Sequence, residues 1–169
     1  MRRIGIFFAS LTCVIPMVSA PVSATALIHT DSAFSSATKK AAVGTLSIPR
    51  LKVKSNIYVG VTDKQFNIGV GEWPGSPKPG NAGNIVIGGH RTSAHRPFAN
   101  IHKLKTGDAI YLKKNGKTFR YVVAKTLIVS KTAIWITKPT AKSTLTLFSC
   151  HPVGKTSHRY VIRAIYSPK

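Results

Sequence analysis

The feature that most constrains the fold is a series of short apolar or alternating runs separated by Gly, Pro and Asn. No run of about twelve residues or more repeats its apolar positions with the period of an α-helix. The spacing predicts a mostly β domain of seven or eight strands, closed into a barrel or packed as a sandwich, with short helices near residues 63–70 and 98–104. The predicted strands cover residues 44–48, 53–59, 84–88, 109–113, 118–129, 143–149 and 159–166.

The sequence also predicts one tight turn and one ordered loop. Asn115 and Gly116 lie between two strand-like runs, and both residues accept the positive φ angles of a type I′ turn. Two antiparallel neighbours should therefore be joined there. Residues 73–83 are rich in Pro and Gly, but Trp73 needs burial, so we expect an ordered loop rather than a linker.

The N-terminus has the composition of an export leader. Arg2 and Arg3 precede an apolar stretch over residues 4–17, and small residues suited to signal cleavage follow. The pattern predicts a signal peptide or a retained signal anchor over residues 1–24. We therefore expect an extracytoplasmic protein, associated with the cell membrane or secreted to the cell wall.

The rest of the chain divides into a flexible linker over residues 25–42 and one folded domain over residues 43–169. Lys and Arg number 25 against four Asp and Glu, which gives a formal net charge of +21. An exported chain with this charge is attracted to anionic membrane lipids or wall polymers. The basic residues are scattered singly, without a basic helix or an aromatic RNA-binding strand, so we do not expect nucleic acid as a partner.

Three residue types suited to acyl transfer fall at the ends of predicted strands. Cys150 ends an apolar strand, Arg159 begins the next one, and His90 follows the buried strand 84–88. A nucleophile, a base and a cation could therefore meet at one rim of the sheet. Cys13 lies in the leader, so no disulfide is expected, and an unpaired thiol in an exported protein indicates reactivity. The alternative is that Cys150 is a small packed hydrophobe.

The other candidate ligands and cations give weaker signals. Arg163 shares a strand face with Arg159 by alternation, and His151 should point to the face opposite the cysteine. Neither a zinc nor a calcium site is expected, because the histidines lack metal-ligand spacing and acids are few; no cofactor is expected either. Solvated side chains are predicted for the remaining histidines, His95, His102 and His158.

Three blocks in order resemble the sortases, the exported cysteine transpeptidases of Gram-positive bacteria. They are Trp-Pro-Gly-Ser at 73–76, Gly-Asn-Ile-Val-Ile-Gly-Gly-His-Arg-Thr at 83–92, and Thr-Leu-Phe-Ser-Cys-His-Pro at 146–152 followed by Arg159. The Gly-His-Arg-Thr and Cys-His-Pro runs are most similar to class E sortases of actinobacteria. Ser149 stands where the family has Thr immediately before the cysteine, a change that keeps the hydroxyl group.

The resemblance implies a sortase-type eight-stranded closed β-barrel with short helices. It makes Cys150 the nucleophile, His90 its general acid and base, and Arg159 the group that stabilises the oxyanion or holds the substrate. Substrate contacts are expected from five further residues, Thr146, Leu147, Ser149, Thr92 and His151.

The resemblance also implies a reaction and its partners. A monomeric enzyme would cleave a C-terminal Leu-Ala-x-Thr-Gly or Leu-Pro-x-Thr-Gly motif of a secreted protein between Thr and Gly, through a thioester on Cys150. The acyl group would pass to an amine of a cell-wall precursor or a pilin. Two alternatives stay open, an idle basic wall-binding module and another wall-active cysteine hydrolase or transpeptidase. A papain-like enzyme is disfavoured because its cysteine precedes its histidine, whereas His90 precedes Cys150 here.

Overall fold

The structure, a computed structural model, describes residues 41–168. The predicted leader and nearly all of the predicted linker lie outside the described residues. One α-helix, α1 (Asp63–Phe66), and three 3-10 helices, Pro49–Leu51, Ile101–Lys103 and Ile134–Thr137, accompany eight strands in this part of the chain. No helix within residues 41–168 is long and apolar enough to cross a membrane. The strands are β1 (Gly44–Ile48), β2 (Val53–Val59), β3 (Val70–Glu72), β4 (Gly83–Gly88), β5 (Ala109–Lys114), β6 (Lys117–Ser130), β7 (Ser143–His151) and β8 (His158–Tyr166).

The eight strands form a closed barrel in the order β1-β2-β3-β4-β7-β8-β6-β5. The pairs β2–β3 and β4–β7 are parallel, and the other neighbours are antiparallel. Because β4 and β7 run the same way, their C-terminal ends lie at one edge of the barrel, where β8 begins. This topology decides where the functional side chains meet. The predicted mostly β fold with short helices and a closed eight-stranded barrel is confirmed.

The barrel interior is filled by the alternate residues of each strand, as the period of two requires. One end of this core is packed by Phe98 and Ile101, which follow β4 in the chain and are fully buried. Their position explains the second predicted helical turn, observed as Ile101–Lys103. The strand residues that fill the core include Leu46, Ile48, Ile85, Ile87, Leu145, Leu147 and Ile162.

Most strand limits fall within two residues of the predicted ones, but β3 was not predicted. The pattern indicated a helix over 63–70, whereas α1 ends at Phe66 and Val70 pairs with Ile57 on β2. A strand of three residues is too short to show alternation. Gly71 within it lies so close to β2 that an added Cβ would meet the Gly60 carbonyl oxygen. The predicted hairpin turn is confirmed, with φ of 49° at Asn115 and 75° at Gly116.

Candidate active site

Strand pairing brings the three predicted catalytic residues to one edge of the barrel. The β4–β7 ladder has its last pair at Gly88 and Phe148, and His90 and Cys150 lie two residues further along each strand. Neighbouring strands are about 4.8 Å apart, so the parallel ladder directs both residues to the same edge of the barrel. On the other side, Cys150 is directly opposite Arg159 in the β7–β8 pairing. Directly opposed residues project from the same face of a sheet.

Alternation along β7 places the thiol on the outer face of the barrel. Leu147 and Ser149 are buried on the inner side, with 0% and 1% exposure. Phe148 and Cys150 therefore project outward, and both are half-buried. Cys150 is a free thiol at the rim of the barrel, where a substrate can reach it.

Helix α1 and the residue after it position the imidazole of His90. Its Nε2 lies 3.1 Å from Oδ1 of Asn67 and 3.6 Å from Oδ1 of Asp63. The edge of the ring meets Phe66, with centroids 5.4 Å apart and an interplanar angle of 73°. An Nε2–H that donates to Asn67 makes Nδ1 the acceptor of the neutral ring. The side chain keeps 21% exposure, which leaves it accessible to a reacting group.

A glycine makes room for the aromatic rings beside this histidine. A Cβ added to Gly88 would lie 2.5 Å from Cζ of Phe148 and 2.8 Å from Cζ of Phe66. Both distances are below any real Cβ contact, so only glycine allows the two rings to cover this end of β4. Gly88, the first residue of the Gly-Gly-His run, is therefore required by the packing of the rings around the histidine.

The two candidate arginines of β8 have different surroundings. Arg159 lies opposite Cys150, and its Nη1 donates to the carbonyl oxygens of Thr156 and His158, both at 2.9 Å. Arg163 instead donates from Nη2 to the carbonyl of Ile136 at 3.3 Å and lies over the Trp135 ring. Arg163 thus holds the segment between β6 and β7, whereas Arg159 is the β8 cation in register with the thiol.

A cavity of about 190 Å³ lies on the outer face next to Arg159. Its walls include apolar side chains from three parts of the chain and the segment between β6 and β7. Asn84 on β4 fixes that segment, because its Nδ2 donates to the carbonyls of Ile136 at 2.8 Å and Lys138 at 3.1 Å. The result is a mainly apolar groove with a guanidinium beside it. The lining residues include Val61, Trp73, Ile134, Ile136, Phe148 and Arg159.

Acidic side chains are scarce around the site. Asp63 is the acid near His90, and it is 85% exposed. The other two acids of the described region form ion pairs with other basic residues. Within residues 41–168, no group of three or more His, Cys, Asp or Glu side chains is placed to hold a metal ion. The charge near Cys150 is therefore supplied mainly by arginine, which suits a reaction that develops negative charge on oxygen.

The sequence around this site and along nearly the whole barrel is similar to a known family. Residues 46–166 match the Sortase domain family model. The chain belongs to the sortase family. Sortase D of Bacillus subtilis is 35% identical over 126 residues, which make up 72% of this chain and 62% of the relative. Sortase A of Bacillus anthracis is 30% identical over 125 residues, or 73% of this chain and 59% of the relative. The solved structure of Sortase A from Corynebacterium diphtheriae has a TM-score of 0.72 at 30% identity and covers 76% of this chain and 62% of that one.

The predicted resemblance to sortases is confirmed, and sortases are cysteine transpeptidases. The curated relatives are named Sortase D, Sortase A and Sortase SrtE1, the last from Streptomyces coelicolor at 29% identity over 133 residues (69% of this chain and 38% of the relative), so the similarity to class E stays a prediction. This sortase spans 59% and 62% of the length of the first two of these relatives. The activity, substrates and partners of this protein are therefore given below as proposals.

The residues predicted to contact substrate occupy different places in the sortase barrel. Thr146 and Leu147 are fully buried, and Thr146 Oγ1 donates to Oδ1 of Asn84 at 2.7 Å. Ser149 is 1% exposed and donates to the Gly89 carbonyl at 2.7 Å. These three side chains have almost no exposed surface, so supporting roles fit them in this arrangement, and their contact with a substrate stays a prediction. Thr92 is exposed, and His151 is half-buried on the face opposite the cysteine, as alternation predicts.

Arg91, next to His90, was not singled out from the sequence. Its guanidinium is buried, with 6% exposure, and its Nη1 and Nη2 lie 3.0 Å from Nδ1 of His151 and Nδ1 of His102. His102 is exposed, as predicted, and Nδ1 of its ring also accepts a bond from Arg91. Desolvation of the ring lowers the pKa of His102, and the charges of Arg91 and Lys103 lower it further. The sequence feature that could have identified Arg91 as part of the site is its position in the Gly-His-Arg-Thr run.

Proposed function

We propose that this sortase is an exported cysteine transpeptidase that cleaves a C-terminal sorting motif between Thr and Gly and transfers the acyl group to an amine. The observation that carries the proposal is the register at the barrel edge. Cys150 is opposite Arg159 in the β7–β8 pairing, and His90 and Cys150 each lie two residues past the last pair of the parallel β4–β7 ladder. A nucleophile, a proton carrier and a fixed positive charge are the groups that acyl transfer requires.

In the first half of the reaction, the thiolate of Cys150 attacks the carbonyl carbon of the motif's Thr. The carbonyl electron pair moves to oxygen, and the guanidinium of Arg159 stabilises the resulting oxyanion. Collapse of this intermediate breaks the bond to the Gly nitrogen, which takes a proton from His90. The Gly-bearing fragment leaves, and the rest of the substrate stays as a thioester on Cys150.

In the second half, an acceptor amine attacks the thioester carbonyl and gives a proton to His90. Collapse of the second tetrahedral intermediate expels the sulfur of Cys150 and leaves a new amide bond. The order of release predicts ping-pong kinetics, because the first product departs before the amine reacts. Water in place of the amine would give hydrolysis.

The groove beside Arg159 supports an extended, partly apolar peptide as substrate. Phe148 and Trp73 provide apolar walls, and Arg159 lies at the same cavity. From the family resemblance we propose a Leu-Ala-x-Thr-Gly motif, with Leu-Pro-x-Thr-Gly as the second choice. The acceptor would be an amine of a wall precursor or a pilin. The charge of +21 supports a place at anionic membrane or wall surfaces, with no nucleic acid involved.

The test is mass spectrometry of the purified protein mixed with each sorting peptide, with and without a glycine-based amine. We expect a thioester on Cys150, loss of the Gly-bearing fragment and a new amide when the amine is present. Cys150→Ala should show none of these products and serves as the control. Hydrolysed peptide that no amine diverts would identify a protease. Absence of cleavage of either motif would favour the idle wall-binding module.

A further inference from the structure

The geometry points to Arg91 as a positioning residue that fixes the separation of His90 and Cys150. The inference concerns how the site is held, and it rests on the proposed function only for its effect on turnover. Backbone pairing between β4 and β7 stops just before the site. The β4–β7 ladder has its last register pair at Gly88 and Phe148, followed by a bond of 3.2 Å from the Gly89 nitrogen to the Phe148 carbonyl. His90 and Cys150 lie beyond that last backbone bond.

Two side chains join the chain segments where the backbone ladder stops. Before the His90–Cys150 pair, the Ser149 hydroxyl donates to the Gly89 carbonyl at 2.7 Å. After the pair, the Arg91 guanidinium donates from Nη1 to the Cys150 carbonyl at 3.4 Å and to His151 at 3.0 Å. Ser149 and Arg91 are both buried, whereas His90 and Cys150 are half-buried. The reacting pair is thus bracketed on the inner side by two bonds.

The same guanidinium reaches the third strand of the site. Its Cζ lies 5.6 Å from the centroid of the Tyr160 ring. Tyr160 is opposite Ser149 in the β7–β8 pairing, immediately after Arg159. Arg91 therefore contacts His151, which follows Cys150, and Tyr160, which follows Arg159. Arg91 is itself the residue that follows His90 in the chain. A shift of Arg91 would change the relative positions of all three strand ends.

The partners of Arg91 explain why an arginine is needed. Its two acceptor rings, His102 and His151, lie on different elements, and a planar fork of donors can reach both at 3.0 Å. Each ring must be unprotonated at Nδ1 to accept. No carboxylate of the described residues pairs with this buried charge, and its Nε has no hydrogen-bond partner there. A buried cation without a carboxylate partner is expensive, which argues against a role in stability alone.

The first test follows alkylation of Cys150 by iodoacetamide and needs no sorting peptide. If Arg91 sets the His90–Cys150 geometry, His90→Ala should change the alkylation rate and its pH profile in the otherwise unchanged protein. In the Arg91→Met background the same substitution should have no further effect. Arg120→Met is the control, because Arg120 is a half-buried arginine elsewhere in the barrel, with its guanidinium bonded to Ser167 at 3.0 and 3.2 Å. In that background the effect of His90→Ala should persist.

The second test measures turnover of whichever sorting peptide the unchanged protein accepts. Arg91→Met should lower kcat by about a hundredfold, because displacement of a reacting group by about 1 Å has an effect of this size. KM should change less than about threefold, because the groove is untouched. Arg91→Lys, which keeps the charge and the stem, should recover only part of the loss. It also provides a second variant if Arg91→Met does not fold.

The outcomes separate this inference from the proposed function. One outcome is that Arg91→Met abolishes the effect of His90→Ala on the alkylation rate while no peptide is cleaved. That result would support the positioning role and overturn the proposed reaction. Cleavage in which Arg91→Met or Arg91→Lys behaves like Arg120→Met would overturn the positioning role alone. An alkylation rate that His90→Ala leaves unchanged in the otherwise unaltered protein would overturn the pairing of His90 with Cys150, and the inference with it.

Discussion

The outer and inner faces of the same strand ends differ in almost every physical property. On the outer face, Cys150 and Arg159 are half-buried, and Arg159 lines a groove. One residue away on the inner face, Ser149 and Arg91 are buried and bonded to neighbouring segments. Alternation therefore lets one stretch of chain carry the reactive groups and their support without mixing the two. Substitutions on the outer face should affect chemistry, and substitutions on the inner face should affect geometry and stability.

The largest effect should come from Cys150→Ala. Removal of the proposed nucleophile should reduce transpeptidation to background, because the reaction passes through a thioester on this sulfur. The free energy of unfolding should change by less than about 1 kcal/mol, as is usual away from the core. Peptide cleavage and urea unfolding would measure both. Substantial cleavage by the variant would show that the outer face does not carry the chemistry.

His90→Ala should have the next largest effect. General acid and base groups contribute about 10² to 10⁴ in rate, so kcat/KM should fall within that range while the fold stays intact. Asn67→Ala, which removes the acceptor near Nε2, should cause a smaller loss of the same kind. If His90→Ala keeps activity within about threefold, another residue must be the proton carrier.

Arg159→Lys tests whether the outer-face cation acts by charge or by geometry. We expect a loss of about 10²- to 10³-fold, close to that of Arg159→Ala, because a compact ammonium cannot replace a planar donor pair at an oxyanion. Initial rates at saturating peptide would measure it. Near-normal activity of the lysine variant would mean that charge alone suffices.

The smallest effect on rate should come from Ser149→Ala, which removes one of the two bonds that bracket the reacting pair and leaves Arg91 in place. The substitution leaves the Gly89 carbonyl without its hydroxyl donor, and a lost buried hydrogen bond costs about 1–3 kcal/mol. Activity of the folded fraction should fall far less than in the outer-face variants. Ser149→Thr, which introduces the residue usual in the family, should keep the bond and serves as the control. A stable Ser149→Ala with strongly reduced kcat would show that the bond from Ser149 to Gly89, like Arg91, sets the geometry of the reacting groups.

Local signals in the sequence were enough to predict most of the barrel. The limits of β1 and β2 match the predicted strands, and the turn at Asn115 and Gly116 has the expected positive φ angles. Alternation also placed His151 on the face opposite Cys150. These features depend on a few consecutive residues, so they are present in the sequence itself. In contrast, β3 has too few residues to carry such a signal.

The order of motifs along the chain determined the family and the three candidate catalytic residues by sequence alone. Only the tertiary structure decided that Arg91 joins the ends of β4, β7 and β8, and that Arg163 holds a neighbouring segment instead of facing the thiol. It also decided that Asn67, the residue after helix α1, orients the imidazole of His90. These contacts connect residues far apart in the chain, and they depend on strand register, which the whole core sets jointly and no local pattern contains.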